Sequence, residues 1–401
     1  MRKFNFEKVS IVEIVNEIII DAIRRKASDI HFDPLVDCLM IRIRIDGELQ
    51  DYAKIPNILK KNLITRIKII SGMNITENRL PQDGAIKNVI DEYSLDLRVS
   101  SLPVIDGEKI VIRILDYRMS LNGLENLGFS ETNLKRVNEM IAKPNGLILV
   151  TGATGTGKST TVYALLQKLN TKERNIITVE DPVEMRLENV NQVQVLSDIG
   201  LTFSHTLRSI LRQDPDIIMV GEIRDNETAR IAVRASITGH LVLSTVHTNN
   251  SLTTIERLID MEVERYLLGS ALTGIISQKL VKKLCPKCRG TRTTSTYEKK
   301  LIKKHLGITV DEVYVPVGCD DCNHGFQGRI AIHEVLMINE EIRNAITTNM
   351  NRKELRNLVY NAKADITTLF EDGLKKAIEG ETTIEEILKT VDITTDEELA
   401  V

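Results

Sequence analysis

Tryptophan is absent from this chain of 401 residues, and its eight tyrosines and seven phenylalanines make up only 4% of it. Proteins that track nucleic-acid strands rely on stacking aromatics beside basic stripes. This sequence has few of the first and no dense Lys/Arg stripe, and its formal net charge is −3. Long apolar runs are missing too. The best candidate, IVEIVNEIII, is interrupted by Glu13 and Glu17 and stops at Asp21, which excludes a bilayer span. The same acids spoil a signal-peptide reading of the basic start, Met1-Arg2-Lys3. We therefore expect a cytoplasmic protein whose membrane association comes only through partners. Cysteine is scarce, five in all, with four in two CxxC pairs. The fifth, Cys38, lies in the strand-like run CLMIRIRI and reads as inert, buried filler. No internal repeat or low-complexity tract is present.

With 42% hydrophobic and 27% charged residues the chain is globular, and its length implies two or three domains. Residues 10–27 carry apolar side chains at helical spacing, from Ile11 to Ile23. LMIRIRIDGELQDYAKI then alternates apolar and polar around Asp46-Gly47, a hairpin signal. Helical spacing returns at 57–71, and short strands follow through 85–115, making a small α+β module. Residues 116–126 have no clear period and read as a linker. From about Ser130, helices alternate with short apolar strands: GLILVTG, IITVED, DIIMVGE and HLVLSTVH. That pattern predicts a parallel sheet covered on both faces. From about 340 the chain is helical and charged.

Gly152-Ala153-Thr154-Gly155-Thr156-Gly157-Lys158-Ser159 satisfies G-x-x-x-x-G-K-[ST]. It sits between an apolar strand and a helix, as a phosphate-binding loop requires. Glycines let backbone N–H groups close around phosphate, Lys158 neutralises its oxygens, and Ser159, followed by Thr160, can hold Mg²⁺. Hydrolysis also needs an acid that positions metal or water. Two apolar strands end in acids, one at Glu222 and one at Glu180-Asp181, and parallel sheets bind ligands at strand C-termini. His240 and His247 bracket a further apolar strand, which should lie beside the P-loop strand.

The succession GATGTGKST, TVEDPVE, LRQDPDIIMVGEIRD and TGHLVLSTVHTN resembles the type II secretion and type IV pilus ATPase superfamily, as its Walker A, Asp box, Walker B and His box. ASDIHFDP, RLPQDG, LDLRVSSLP and GRIAIHEVL extend the likeness over nearly the whole chain. The resemblance implies a toroidal homohexamer of PAS-like and RecA-like modules, with ATP and Mg²⁺ between them. It implies that Lys158, Ser159 and Glu222 form the ATPase core, that Glu180 and His247 support it, and that Arg98 and Arg113 of the first module face the phosphates. It also implies work on pilin or pseudopilin filaments through an inner-membrane platform protein, with no direct nucleic-acid contact, at the cytoplasmic side of that membrane. A competence-type DNA-uptake motor and a nucleic-acid-translocating motor are the alternatives. Where the family often has QDGR this chain has Ala85, so any role of that arginine is absent. Many members carry a further N-terminal docking domain. This chain begins almost directly at the PAS-like module, as a naturally short member or a trimmed piece.

Cys285 and Cys288 are separated from Cys319 and Cys322 by 30 residues. Two tight CxxC turns make a tetrahedral S₄ set that suits a closed, structural zinc site, to which nearby His324 is superfluous. By the resemblance, retraction motors usually lack this insertion and secretion and extension motors usually have it. The expected organisation is a PAS-like domain over 1–117, a linker over 118–126, a RecA-like core over 127–284, a zinc module over 285–325 and a helical region over 326–401.

Overall fold

The computed structural model describes residue 2 and residues 9–90, 93–114, 123–360 and 366–391. The chain divides into two compact units, 1–116 and 117–401. Most of the expected linker, 116–122, lies outside the described residues. Its last part, Leu124–Asn126, is a short 3-10 turn with Leu124 buried.

In the first unit, helix α1 (Ile11–Arg24) starts at a capping box, in which Ser10 and Glu13 satisfy each other's backbone N–H. Its apolar stripe, with that of α2 (Asn57–Ile70), packs on one face of a six-stranded antiparallel sheet. The strands are β1 (Asp29–Pro34), β2 (Cys38–Ile45), β3 (Glu48–Pro56), β4 (Gln82–Ile90), β5 (Tyr93–Val104) and β6 (Gly107–Ile114), in the order β3-β2-β1-β6-β5-β4. Asp46 and Gly47 both adopt positive φ, 51° and 89°, as a two-residue hairpin turn with right-handed strand twist demands. Alternate residues face the core: Ile30, Phe32, Ile41, Ile43, Ile110 and Ile112 are buried, so the sheet's other face is free to be polar. Cys38 is buried, as expected of filler.

The second unit is built on a seven-stranded sheet, ordered β15-β12-β7-β11-β10-β8-β9. Its parallel strands are β7 (Gly146–Thr151), β8 (Ile176–Glu180), β9 (Val190–Gln194), β10 (Ile217–Val220), β11 (Leu241–Val246) and β12 (Leu272–Leu284). At one edge β15 (Phe326–Met337) runs antiparallel to β12. Every residue of β7, β8, β10 and β11 is buried. Helices α3 (Glu131–Ile141) and α4 (Lys158–Leu169) pack into one apolar cluster. Helices α5 (Phe203–Ile210), α6 (Asn226–Ile237), α7 (Ser251–Asp260) and α8 (Arg265–Ala271) pack into another. Consecutive residues of β7 fall in different clusters, Ile148 in the first and Leu149 in the second, which is the two-sided burial expected.

Beyond β12, β13 (Gly290–Thr293) and β14 (Glu312–Val315) form a small two-stranded antiparallel sheet, with α9 (Thr296–Leu306) in the connection between them. Helices α10 (Glu340–Thr347), α11 (Arg352–Tyr360), α12 (Leu369–Ile378) and α13 (Ile384–Thr390) follow. The region expected to be helical from 326 thus opens with a twelve-residue strand, β15, and its helices begin at Glu340. Residues 361–365 and 392–401 lie outside the described residues. In α12, Lys376 is buried and donates to Asp372 and to the Ala331 carbonyl, at 2.5 and 2.7 Å. Asp372 also accepts from the backbone N–H of His333 at 2.9 Å. One buried ion pair therefore binds α12 to β15.

Candidate active site

The P-loop leaves the C-terminal end of β7 and opens into α4. Gly157 caps the helix in the left-handed region, at φ 88°, where a side chain would be strained. At Gly152 a Cβ would lie 2.5 Å from Thr156 Oγ1 and 2.6 Å from the Gln278 carbonyl, so only glycine lets the loop close. Thr154, Gly155 and Ser159 are exposed, and Thr160 half-buried. The Lys158 ammonium is buried and donates to the carbonyls of Gly152 and Ala153 at 2.9 and 3.0 Å. Burial pushes its pKa below the usual lysine range, and the Glu222 charge opposes that shift.

Parallel order then brings the next candidates to the same edge. β11 lies beside β7, and β10 beside β11. Glu222, just past β10, and His247, just past β11, therefore meet: His247 Nε2 is 3.3 Å from Glu222 Oε2. The other Glu222 oxygen accepts from Arg224 at 2.6 Å, and this bond is the main cause of the raised Arg224 pKa. His240 stands at the opposite end of β11, its ring nitrogen 2.9 Å from the Ala235 carbonyl, so it plays a structural part.

Glu180 ends β8 but turns inward. It is 3% exposed and accepts from Tyr163 of α4, from Thr178 at 2.5 Å and from Gln192 at 3.1 Å. These donors satisfy a buried carboxylate and place Glu180 beneath the P-loop helix, not at the open edge. Asp181 stands close enough to reinforce the charge on Arg224.

Arg98 and Arg113 are direct cross-strand partners on β5 and β6. Arg113 pairs in register with Asp29, and Asp29 with Arg44. Side chains opposite one another across an antiparallel pair share a face, so three arginines and one aspartate form a single charged rung. Arg113 Nε donates to Asp29 at 3.1 Å.

The four expected cysteines converge. Their sulfurs all lie within 4.8 Å of one another, with Cys285–Cys319 at 4.0 Å, Cys288–Cys322 at 3.7 Å and Cys319–Cys322 at 3.6 Å. Four thiolates each about 2.3 Å from one zinc sit about 3.8 Å apart in a tetrahedron, so the donor set fits that ion. His324 is not part of the cluster.

Sequence reasoning did not single out Arg224, Tyr163, Gln192, Thr248 or Gln278. Arg224 was within sight, two residues past Glu222. Thr248, next to His247, links its hydroxyl to that of Thr151 on β7 at 2.6 Å, a contact made only by sheet order.

The chain matches the family described as type II/IV secretion system protein over residues 5–389. It is 44% identical over 380 residues to type II secretion system protein E of Aeromonas hydrophila, covering 94% of this chain and 75% of the relative. It is 42% identical over 382 residues to the type IV pilus assembly ATPase PilB of Thermus thermophilus, covering 94% of this chain and 42% of PilB. Among solved structures, the pilus retraction motor PilT with bound ADP superposes at a TM-score of 0.65 and 27% identity, covering 96% of this chain and 98% of PilT. The chain belongs to the type II/IV secretion system protein family.

Proposed function

We propose that this chain is an ATPase whose hydrolysis of ATP powers assembly of pilin or pseudopilin filaments. The observation that carries this reading is the row of strand ends: the P-loop after β7, His247 after β11 and Glu222 after β10, with Lys158 within reach of the Glu222 charge. Backbone N–H groups of Gly155, Gly157 and Lys158 would cradle the phosphates, with Thr154, Thr156 and Thr160 alongside. Ser159, already exposed, would hold Mg²⁺, which when bound neutralises charge on the phosphate oxygens. Glu222 orients water or metal, and His247 and Arg224 hold its carboxylate. Glu180 acts from below, by fixing α4 through Tyr163. Arg98 and Arg113 offset charge developing on the transferred phosphoryl group, which requires the PAS-like first unit to dock on the second.

The kinship with type II secretion protein E and PilB supports a homohexamer peripheral to the inner membrane and engaged with a platform protein. No described helix is long and apolar enough to cross a membrane, so contact with the bilayer would run through partners. Zinc held by Cys285, Cys288, Cys319 and Cys322 would be structural. Glu222→Gln should bind ATP as the wild type does and hydrolyse it at least about 100-fold more slowly; wild-type turnover would overturn the assignment. Elemental analysis should find about one zinc per chain, and a metal-free protein of equal stability would remove the zinc claim.

A further inference from the structure

On the side of β7 away from Glu222, β12 brings one more polar side chain against the P-loop. Gln278 is 2% exposed, within the otherwise featureless stretch TGIISQKLVKKL. Its Nε2 donates to the Thr156 carbonyl at 2.7 Å, and its Oε1 accepts from the Thr161 hydroxyl at 2.8 Å. The orientation of the amide is determined by chemistry. A backbone carbonyl only accepts, so the nitrogen must face Thr156 and leave the oxygen to the hydroxyl. The backbone of Gln278 contributes as well, since its carbonyl, with Thr156 Oγ1, is one of the two atoms that forbid a Cβ at Gly152.

The peptide joining Thr156 to Gly157 is planar and trans, so its C=O and N–H point in opposite directions. Anchoring the Thr156 oxygen on β12 therefore aims the Gly157 N–H away from β12. Gly157 immediately precedes Lys158 at the start of α4, where N–H groups converge on phosphate. Without the anchor, a peptide next to glycine rotates at little steric cost, and the donor is lost from the cradle. Thr161, 2% exposed on the first turns of α4, keeps the anchoring amide from turning over.

We propose that Gln278 is a positioning residue for the nucleotide site: it locks the Thr156–Gly157 peptide so that the P-loop presents its N–H groups to phosphate, and Thr161 sets its orientation. The proposal rests on the P-loop reading above and adds a residue from the opposite flank of the sheet. It predicts an effect on phosphate binding itself, not only on folding.

The test is titration of the full chain with a fluorescent ADP analogue, alongside thermal unfolding. Gln278→Met keeps the length and apolar packing and removes both hydrogen bonds. It should weaken ADP binding about tenfold or more. Thr161→Val should weaken it by a smaller factor, and Thr161→Ser should restore wild-type affinity. Because both act through one amide, the Gln278→Met/Thr161→Val double variant should bind no more weakly than Gln278→Met alone. Unchanged affinity in Gln278→Met, or fully additive losses in the pair, would overturn the proposal. If Gln278→Met does not fold, the Thr161 series decides: wild-type affinity in Thr161→Val also overturns it. Lys158→Ala in the same titration separates the two levels. Wild-type affinity there would sink the P-loop reading, whereas a loss there with none in Gln278→Met sinks only this inference.

Discussion

The two sheets of this protein bury their residues by different rules. Among the described residues of the first unit, helices cover one face of the sheet, so β1 and β6 alternate between apolar core residues and polar ones, and charge spreads across the polar face as the rung of Arg44, Asp29, Arg113 and Arg98. In the second unit the strands beside the P-loop are buried on both faces, so no side chain along them is available for chemistry. The polar side chains within β11, Ser244 and Thr245, are turned to the backbone carbonyls of Val220 and Gly221, so groups open to a ligand appear only past the ends of these strands. A one-sided sheet offers a surface, and a two-sided sheet offers an edge.

Alanine substitutions along single strands would break this comparison most sharply. Ile148→Ala and Leu149→Ala, neighbours in β7 that face opposite clusters, should each cost about 2–5 kcal/mol of unfolding free energy. In β6, Ile112→Ala should cost a similar amount and Val111→Ala about 1 kcal/mol or less. Denaturant titration reads all four, and a strong alternation in β7 would contradict the two-sided burial. The charged rung gives the next largest effect. Arg98→Ala and Arg113→Ala should each lower ATP turnover about 10–1000-fold while leaving ADP affinity nearly unchanged, because such a charge acts mainly in the transition state. Parallel hydrolysis and binding assays separate the two, and unchanged turnover in both variants would leave the first unit's free face without a catalytic part.

The smallest effect belongs to the cysteine-bearing module. Glu298 accepts from both terminal nitrogens of the Arg292 guanidinium, at 2.8 and 2.6 Å, and from Ser295. Arg292, followed in the other direction by burial, and then Ser295 hold its carboxyl at about 2, below the ordinary 4.5. A depressed carboxyl stabilises the fold above its unfolded pKa and loses that contribution as pH falls through its folded one. The deficit of Glu298→Gln relative to wild type, about 1–2 kcal/mol with the partly exposed arginine allowed for, should therefore be full above about pH 4.5 and vanish near pH 2. Comparing thermal melts of the two proteins at each pH removes the shared effect of acid on the cysteines.

What could be read from sequence follows the same division. The Asp46-Gly47 turn, the glycines of the P-loop and the CxxC pairs are short-range signals, each complete within a few residues; in the structure Asp46 and Gly47 make the positive-φ turn, Gly157 caps α4 and the four sulfurs converge. Strand-end acids were visible as a pattern, but their surroundings were not. Glu222 meets His247 because β10 and β11 are neighbours, and Glu180 turns inward because Tyr163 and Gln192 await it there. β12 ends at Leu284 and β15 begins at Phe326, so the two pair across a long stretch of intervening chain, and β15 was hidden inside a region expected to be helical. Gln278 carries no motif at all. Its importance exists only once β12 lies against β7.

The ion pair of Asp372 and Lys376 constrains how this sequence can change over time. Either residue lost alone leaves a buried charge without its partner, a step of about 3–5 kcal/mol. Asp372 also holds the His333 N–H, and Lys376 the Ala331 carbonyl, so a single substitution strands a group on β15 as well. Mutational paths that go one residue at a time are therefore nearly closed here. Helix α12 and strand β15 must drift together or stay as they are, and a chimera that takes one from this chain and the other from a distant relative should inherit the mismatch.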